Sequence, residues 1–175
     1  MDLIDAAKRN NIGRVRELLD RGADPNIIDG SYNNYTALIY ASQRGYRDIV
    51  NLLLDNGADI NITDDLGNTA LMRASRNNRT EIIRLLLDRG ADPNIRDDDG
   101  GTALISASIG DRRTDIVKML LDNDADPNIQ ENYDGETALM QASYYGNTEN
   151  VGLLLENDAD PNIQCHSGET SLIMA

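Results

Sequence analysis

Phenylalanine and tryptophan are absent from the 175 residues, tyrosine is the only aromatic, and the chain has one cysteine, one histidine and four prolines. A lone cysteine, Cys165, excludes a disulfide within one chain and fits a reducing compartment. A lone histidine, His166, has no companion for a catalytic triad or a zinc site. Basic residues are scarce: 16 Lys plus Arg face 30 Asp plus Glu, a net charge of −14. Nucleic acid and other polyanions are therefore disfavoured as partners. Long apolar runs are also missing. Ile82-Ile83 and Leu85-Leu86-Leu87, split by Arg84, fall far short of the roughly 20 residues that span a bilayer. The opening Met-Asp-Leu-Ile-Asp-Ala-Ala carries acids where a secretory signal carries bases. These absences lead to the expectation of an intracellular, cytoplasmic protein with no membrane association.

The chain is rich in repetition. Thr-Ala-Leu begins at Thr36, Thr69, Thr102 and Thr137 and returns as Thr-Ser-Leu at Thr170, at intervals of 33, 33, 35 and 33 residues. A second phrase, Ala-Asp-Pro-Asn-Ile or Ala-Asp-Ile-Asn-Ile, begins at Ala23, Ala58, Ala91, Ala125 and Ala159. Ten of the 30 acids occupy fixed places in this pattern, in the Ala-Asp phrase or at the ends of the leucine-rich segments; the other 20 still exceed the 16 bases. Each unit can bury its apolar face only against a neighbour, so such an array builds an extended surface with no enclosed pocket, which favours binding over catalysis.

The unit from Asp64 to Arg96 carries no insertion. Asp64, Asp65 and Gly67 supply turn chemistry for a hairpin-like finger. Thr69 is expected to cap a short helix through Leu71 and Ala74, and Thr80 to cap a second helix over Ile82 to Asp88. Gly90 stops that helix in left-handed geometry, and Pro93 prevents its continuation. Each unit thus reads as helix, turn, helix, finger.

This pattern resembles the ankyrin repeat, in which Asp-x-x-Gly-x-Thr-Pro-Leu-His-x-Ala is followed by a turn, Ile-Val-x-Leu-Leu-Leu and Gly-Ala-Asp-x-Asn. The resemblance covers nearly the whole chain and implies an all-α solenoid of stacked helix-turn-helix units with projecting fingers. It divides one continuous domain into a capping unit (1 to 28), four full units (29 to 63, 64 to 96, 97 to 130 and 131 to 164) and an incomplete unit (165 to 175). The family's proline is replaced by Ala37, Ala70, Ala103 and Ala138, and its histidine by Ile39, Met72, Ile105 and Met140, so apolar packing must replace a hydrogen-bond ladder. Asp124 and Asp158 stand where glycine ends the helix, at a cost of about 1 kcal/mol each. The carboxy-terminal half is therefore expected to be the less stable. The last unit breaks off inside its first helix, which reads as a fragment of a longer array. Apolar surface near Leu153, Leu154 or Leu155 should be exposed there, as a place for fraying or weak self-association of an otherwise monomeric chain.

In the resembled family, partners dock on finger tips and on the inner face of the helices. Carried onto this sequence, those positions are Tyr32, Tyr35, Asp65, Leu66, Asp98 and Tyr133 on fingers, and Tyr40, Arg44, Arg73, Arg76, Gln141, Tyr144 and Tyr145 on helices. Six of the seven tyrosines fall in these columns, and tyrosine offers a large rigid contact with a polar tip. Alanine at Tyr40, Arg73 or Tyr144 is expected to weaken a partner with little effect on melting. Asp97-Asp98-Asp99 lacks the ligand spacing of a calcium loop, and no glycine-rich phosphate loop follows a strand. No catalytic residue, metal or cofactor is expected, and the chain reads as a non-enzymatic scaffold for a protein partner. The repeat wording is similar in style to giant-virus or intracellular-bacterial arrays, which makes a host protein one candidate partner. Two alternatives are a substrate-selecting fragment of a larger enzyme or ubiquitin-ligase adaptor, and a self-assembling structural array.

Overall fold

The computed structural model describes residues 2–30, 34–109 and 113–174. Among them are eleven helices: α1 (Leu3–Lys8), α2 (Ile12–Asp20), α3 (Ala37–Arg44), α4 (Arg47–Asp55), α5 (Ala70–Arg76), α6 (Thr80–Asp88), α7 (Ala103–Ser108), α8 (Thr114–Leu121), α9 (Ala138–Tyr144), α10 (Thr148–Glu156) and α11 (Ser171–Met174). The chain falls into two compact units, Met1–Asp92 and Pro93–Ala175. In the first, α1 packs on α2, α3 on α4 and α5 on α6. The first helices of these pairs form one layer (α1, α3, α5) and the second helices another (α2, α4, α6). In the second unit α7 pairs with α8 and α9 with α10, α7 lies beside α9, α8 beside α10, and α11 packs on α9.

The threonine phrase builds the first helices as its chemistry dictates. Thr36, Thr69, Thr102 and Thr137 have extended backbone, and each Oγ1 accepts from the amide three residues on, at Ile39, Met72, Ile105 and Met140 (3.2 to 3.3 Å). Those four residues replace the family's histidine and are buried, as are Ala37, Ala70, Ala103 and Ala138. Small alanines bring the helix backbones close while the larger residues fill the space between layers. Thr80 does not cap. It lies inside α6, whose N-cap is Arg79, and no side chain caps that end. A threonine must precede the first helical residue with extended backbone to reach the amide three on, and here Arg79 holds that place.

Gly90 is left-handed (φ 84°), and Asp124 and Asp158 adopt the same hand at φ 64°. Beyond these turns, the phrase's asparagines reach forward. Asn26 Nδ2 donates to Gly57 O (3.3 Å) while its Oδ1 accepts from Asp59 N (2.7 Å). Asn61 Oδ1 accepts from Asp92 N (3.1 Å). In the second unit, Asn94 and Asn128 donate to Asp124 O and Asp158 O (both 2.9 Å) and accept from Asp126 N and Asp160 N (both 2.7 Å). Asn26, Asn94 and Asn128 each satisfy two backbone groups of the following loop.

The fingers are closed by single backbone pairs rather than strands. Asp29, Asp64, Asp97, Glu131 and Cys165 donate their N–H to the carbonyls of Tyr35, Asn68, Gly101, Glu136 and Glu169 (2.9 to 3.1 Å). At the carboxy-terminal side, Leu154 is buried but Leu155, Leu172 and Ile173 are exposed. The 35-residue step from Thr102 to Thr137 implies one added residue between α7 and α8, at Gly110 to Arg113, and it lies largely outside the described residues, since 110–112 are not among them.

Candidate functional site

The fourth residue after each capping threonine is Tyr40, Arg73, Ser106 or Gln141, and all four carry hydrogen-bond donors. Tyr40 Oη donates to Asp29 Oδ2 at 2.9 Å. Arg73 Nε donates to Asp64 Oδ2 at 2.7 Å, with a second bond from Nη2 to the same oxygen. Gln141 Nε2 donates to Glu136 Oε2. These side chains are pins that tie the first helix of a pair to a carboxylate of its own finger. Asp29 and Asp64, which two of them hold, were not among the expected site residues. A column in which every residue is a donor was the available signal.

Around the first two pins an aromatic and charged cluster has formed. The Tyr35 and Tyr40 rings meet edge to face at 4.8 Å, Lys8 Nζ lies 4.3 Å from the Tyr40 centroid, and the Arg73 guanidinium lies 5.1 Å from the Tyr35 centroid. Lys8 also pairs with Asp29 Oδ2 at 3.2 Å. The Tyr40 phenol, and after it the Asp29 carboxylate, hold the Lys8 ammonium above the usual lysine range, against a smaller lowering by burial. Burial pushes the Tyr35 phenol up, with the Arg73 charge pulling it back in part.

Several residues expected to face a partner are thereby engaged in the fold. Tyr35 is only 7% exposed, and the Arg73 side chain only 13%. Both correct the expectation of open contact surface: ring packing consumes Tyr35, and the carboxylate of Asp64 consumes Arg73. Tyr40 and Gln141 are half-buried and hold their finger acids. Arg44, Asp65, Arg76 and Asp98 are exposed, although Asp65 Oδ1 accepts from Asn34 Nδ2 at 2.7 Å. Leu66 is 51% exposed at its finger tip. In the second unit Tyr133 is 84% exposed, Tyr144 68% and Tyr145 46%, the last two in an edge-to-face pair 5.2 Å apart. Tyr32 lies outside the described residues.

The finger of residues 131–136 carries opposing electrostatics. Burial pushes the Glu131 carboxyl up, but the N–H groups of Glu136, Tyr133, Asp134 and Gly135 together pull it below the usual range. Glu136 is pushed up by burial and by the neighbouring charges of Asp134, Glu131 and Glu169. His166 serves packing. Its Nδ1 lies 3.1 Å from Tyr133 O, and its ring crosses Gly135 so closely that a Cβ there would stand 2.7 Å from it. Cys165 is buried, and its thiol is drawn below the usual range first by Ser167, whose Oγ is 3.0 Å from Sγ. Among the described residues no group of three or more His, Cys, Asp or Glu is placed to hold a metal ion. None of their helices is long and apolar enough to cross a membrane.

A family model described as ankyrin repeats (3 copies) matches residues 3–97 and again 89–165. The chain is an ankyrin-repeat protein. Ankyrin repeats serve as protein-interaction modules and are typically not enzymes. A comparison with curated proteins found no match.

Proposed function

We propose that this ankyrin-repeat protein binds a protein partner through exposed finger tips and the exposed ends of its first helices. Asp65, Leu66 and Arg76 carry the contact in residues 1–92, and Asp98, Tyr133, Tyr144 and Tyr145 carry it in residues 93–175. The repeat boundaries before residues 29, 64, 97, 131 and 165 belong to this reading. Its chief support is the exposure of Tyr133, Tyr144 and Tyr145 in a chain whose other tyrosines are half-buried or buried where described. A large aromatic left in water forgoes the burial that stabilises a core, and such residues dominate binding energy once a partner covers them.

The division of labour along each helix adds to this. Tyr40, Arg73 and Gln141, four residues after their threonines, serve their own fingers, whereas Arg76, Tyr144 and Tyr145, seven or eight residues after theirs, are exposed. The test is affinity capture from a cell lysate with the wild type, Leu66→Ala/Arg76→Ala and Tyr144→Ala/Tyr145→Ala. A protein retained by the wild type should be lost by at least one double variant whose thermal melt is unchanged. Equal retention by all three would overturn the assignment.

A further inference from the structure

We propose that the turns joining α3 to α4 and α5 to α6 form a docking groove for a carboxylate-rich segment of a partner protein, held by Arg44 and Arg79. A groove of about 340 Å³ is lined there by Arg44, Gly45, Asn78, Arg79, Thr80, Glu81 and Ile82, with Arg47 outside the lining, two residues on from Gly45. Arg44 ends α3, Arg47 opens α4 and Arg79 is the N-cap of α6. Among the described residues none of these three arginines forms an ion pair, although in the same unit Lys8, Arg14, Arg21, Arg73 and Arg89 all do.

Arg44 is favourably placed at the carboxy-terminal end of α3, but stability alone does not account for the placement of Arg47 and Arg79. The amino-terminal end of a helix is its positive pole, where a cation is unfavourable and an acid or a capping side chain is favoured. Arg47 and Arg79 occupy that pole on α4 and α6, and no side chain caps either helix. By contrast, the second helix α2 is capped by Asn11 and α10 by Asn147. Arg79 is also held in place. Its Nε donates to Gln43 O at 3.0 Å, and its chain lies across Gly45, where an added Cβ would stand 3.2 Å from Arg79 Cδ. Gly45 has φ 82°, so the close approach and the left-handed turn both call for glycine. The Nη groups of Arg79 have no partner among the described residues, which leaves an oriented guanidinium facing solvent. A pre-positioned donor loses little freedom on binding an anion.

The chemistry selects a short acidic peptide over a nucleic acid. The far ends of α2, α4 and α6 close with Asp20, Asp55 and Asp88, and the loops beyond carry Asp24, Asp59 and Asp92. At nine residues, α4 separates the two poles by only about 13 Å. A long polyanion would extend into that acidic region, on a chain of net charge −14. A few carboxylates fit within the basic turns. Glu81 lines the groove without pairing to an arginine and opposes any anion, so it sets a threshold on the local charge density the groove accepts.

The inference takes its class of partner from the protein-binding reading, but it is tested with a synthetic probe and separately from lysate capture. A fluorescein-labelled peptide of alternating Glu and Ser is titrated with the full chain at about 50 mM and about 300 mM NaCl, with anisotropy as the readout. Arg44→Gln/Arg79→Gln should weaken binding by about tenfold or more, Glu81→Gln should tighten it by about twofold, and the higher salt should weaken it. Arg16→Gln, an exposed arginine elsewhere in the unit, should change nothing. Arg47→Gln, which removes a charge outside the groove lining, should weaken binding less than Arg44→Gln/Arg79→Gln while leaving the thermal melt unchanged or higher. Four results would overturn the proposal: no binding at low salt, an equal loss with Arg16→Gln, no gain with Glu81→Gln, or tighter binding of a single-stranded oligonucleotide of equal charge. Peptide binding without any protein captured from lysate would leave the groove standing and remove the finger-tip assignment.

Discussion

Arg73 closes on Asp64 with its Nε and Nη2 sharing one carboxylate oxygen, and the Asp64 side chain is fully buried. The other oxygen, Oδ1, accepts from the amides of Leu66 and Asn68 (2.9 and 3.0 Å), so one acid fixes both the finger turn and its angle to α5. Removing the arginine strands a buried charge, and Arg73→Ala should cost about 3 kcal/mol. Chemical denaturation should show it as a lower midpoint. A melt equal to the wild type would mean that Arg73 is free surface after all.

Asn150 occupies in α10 the place held by Ile49, Ile82 and Ile116 in α4, α6 and α8. It is fully buried, and neither its Oδ1 nor its Nδ2 has a partner among the described residues. Burying an amide without compensation costs free energy, and the three isoleucines show what the position accommodates. Asn150→Ile should stabilise the protein by about 1–3 kcal/mol, read as a higher thermal midpoint. A drop in midpoint would show that the amide is satisfied in solution.

Asn128 and Asn162 are the same residue of successive phrases with different employment. Asn128 bonds two backbone groups of the next loop, whereas Asn162 Nδ2 turns back to Asp160 Oδ1 at 3.0 Å. Asn128→Ala should cost about 1–2 kcal/mol, and Asn162→Ala less than about 0.5. Equal costs in paired urea titrations would refute the difference in role.

Glu136 has a raised pKa in the folded state, so the folded protein binds that proton more tightly than the unfolded chain. Its ionisation therefore lowers stability as pH rises from the unfolded value near 4.5 through the raised folded value. Glu136→Gln should raise the melting temperature at pH 7, and the gain should vanish below about pH 4. Glu131 has the opposite sign. Its folded pKa is lowered, and the stability it contributes above 4.5 is lost as pH falls through the folded value. Glu131→Gln should therefore lower the melt at neutral pH and converge with the wild type in acid. Parallel pH profiles for both variants would contradict the assignment.

The helices were legible because their chemistry is local. A threonine before Ala-Leu caps through an amide three residues on, and alternation of small and large apolar residues states which face is buried. The pins were illegible because Tyr40, Arg73 and Gln141 look like contact residues until the finger acid folds back to meet them, a relationship set by hairpin geometry. Thr80 misled for a related reason: composition marks a capping residue, but only the backbone at Arg79 decides which residue precedes the helix. Arg44, Arg47 and Arg79 were visible in sequence, yet that none of the three meets an acid among the described residues depends on the folded arrangement.

The forward reach of Asn26, Asn61, Asn94 and Asn128 gives each repeat a hook on one side and an eye on the other. Duplicating or deleting a whole repeat leaves every hook facing an eye, so copy number can drift without creating an unsatisfied backbone group. Cutting at any other phase severs a link. The period of the fold is therefore also the natural step of its evolution, and lengthening or shortening the binding surface requires no new chemistry at the joints.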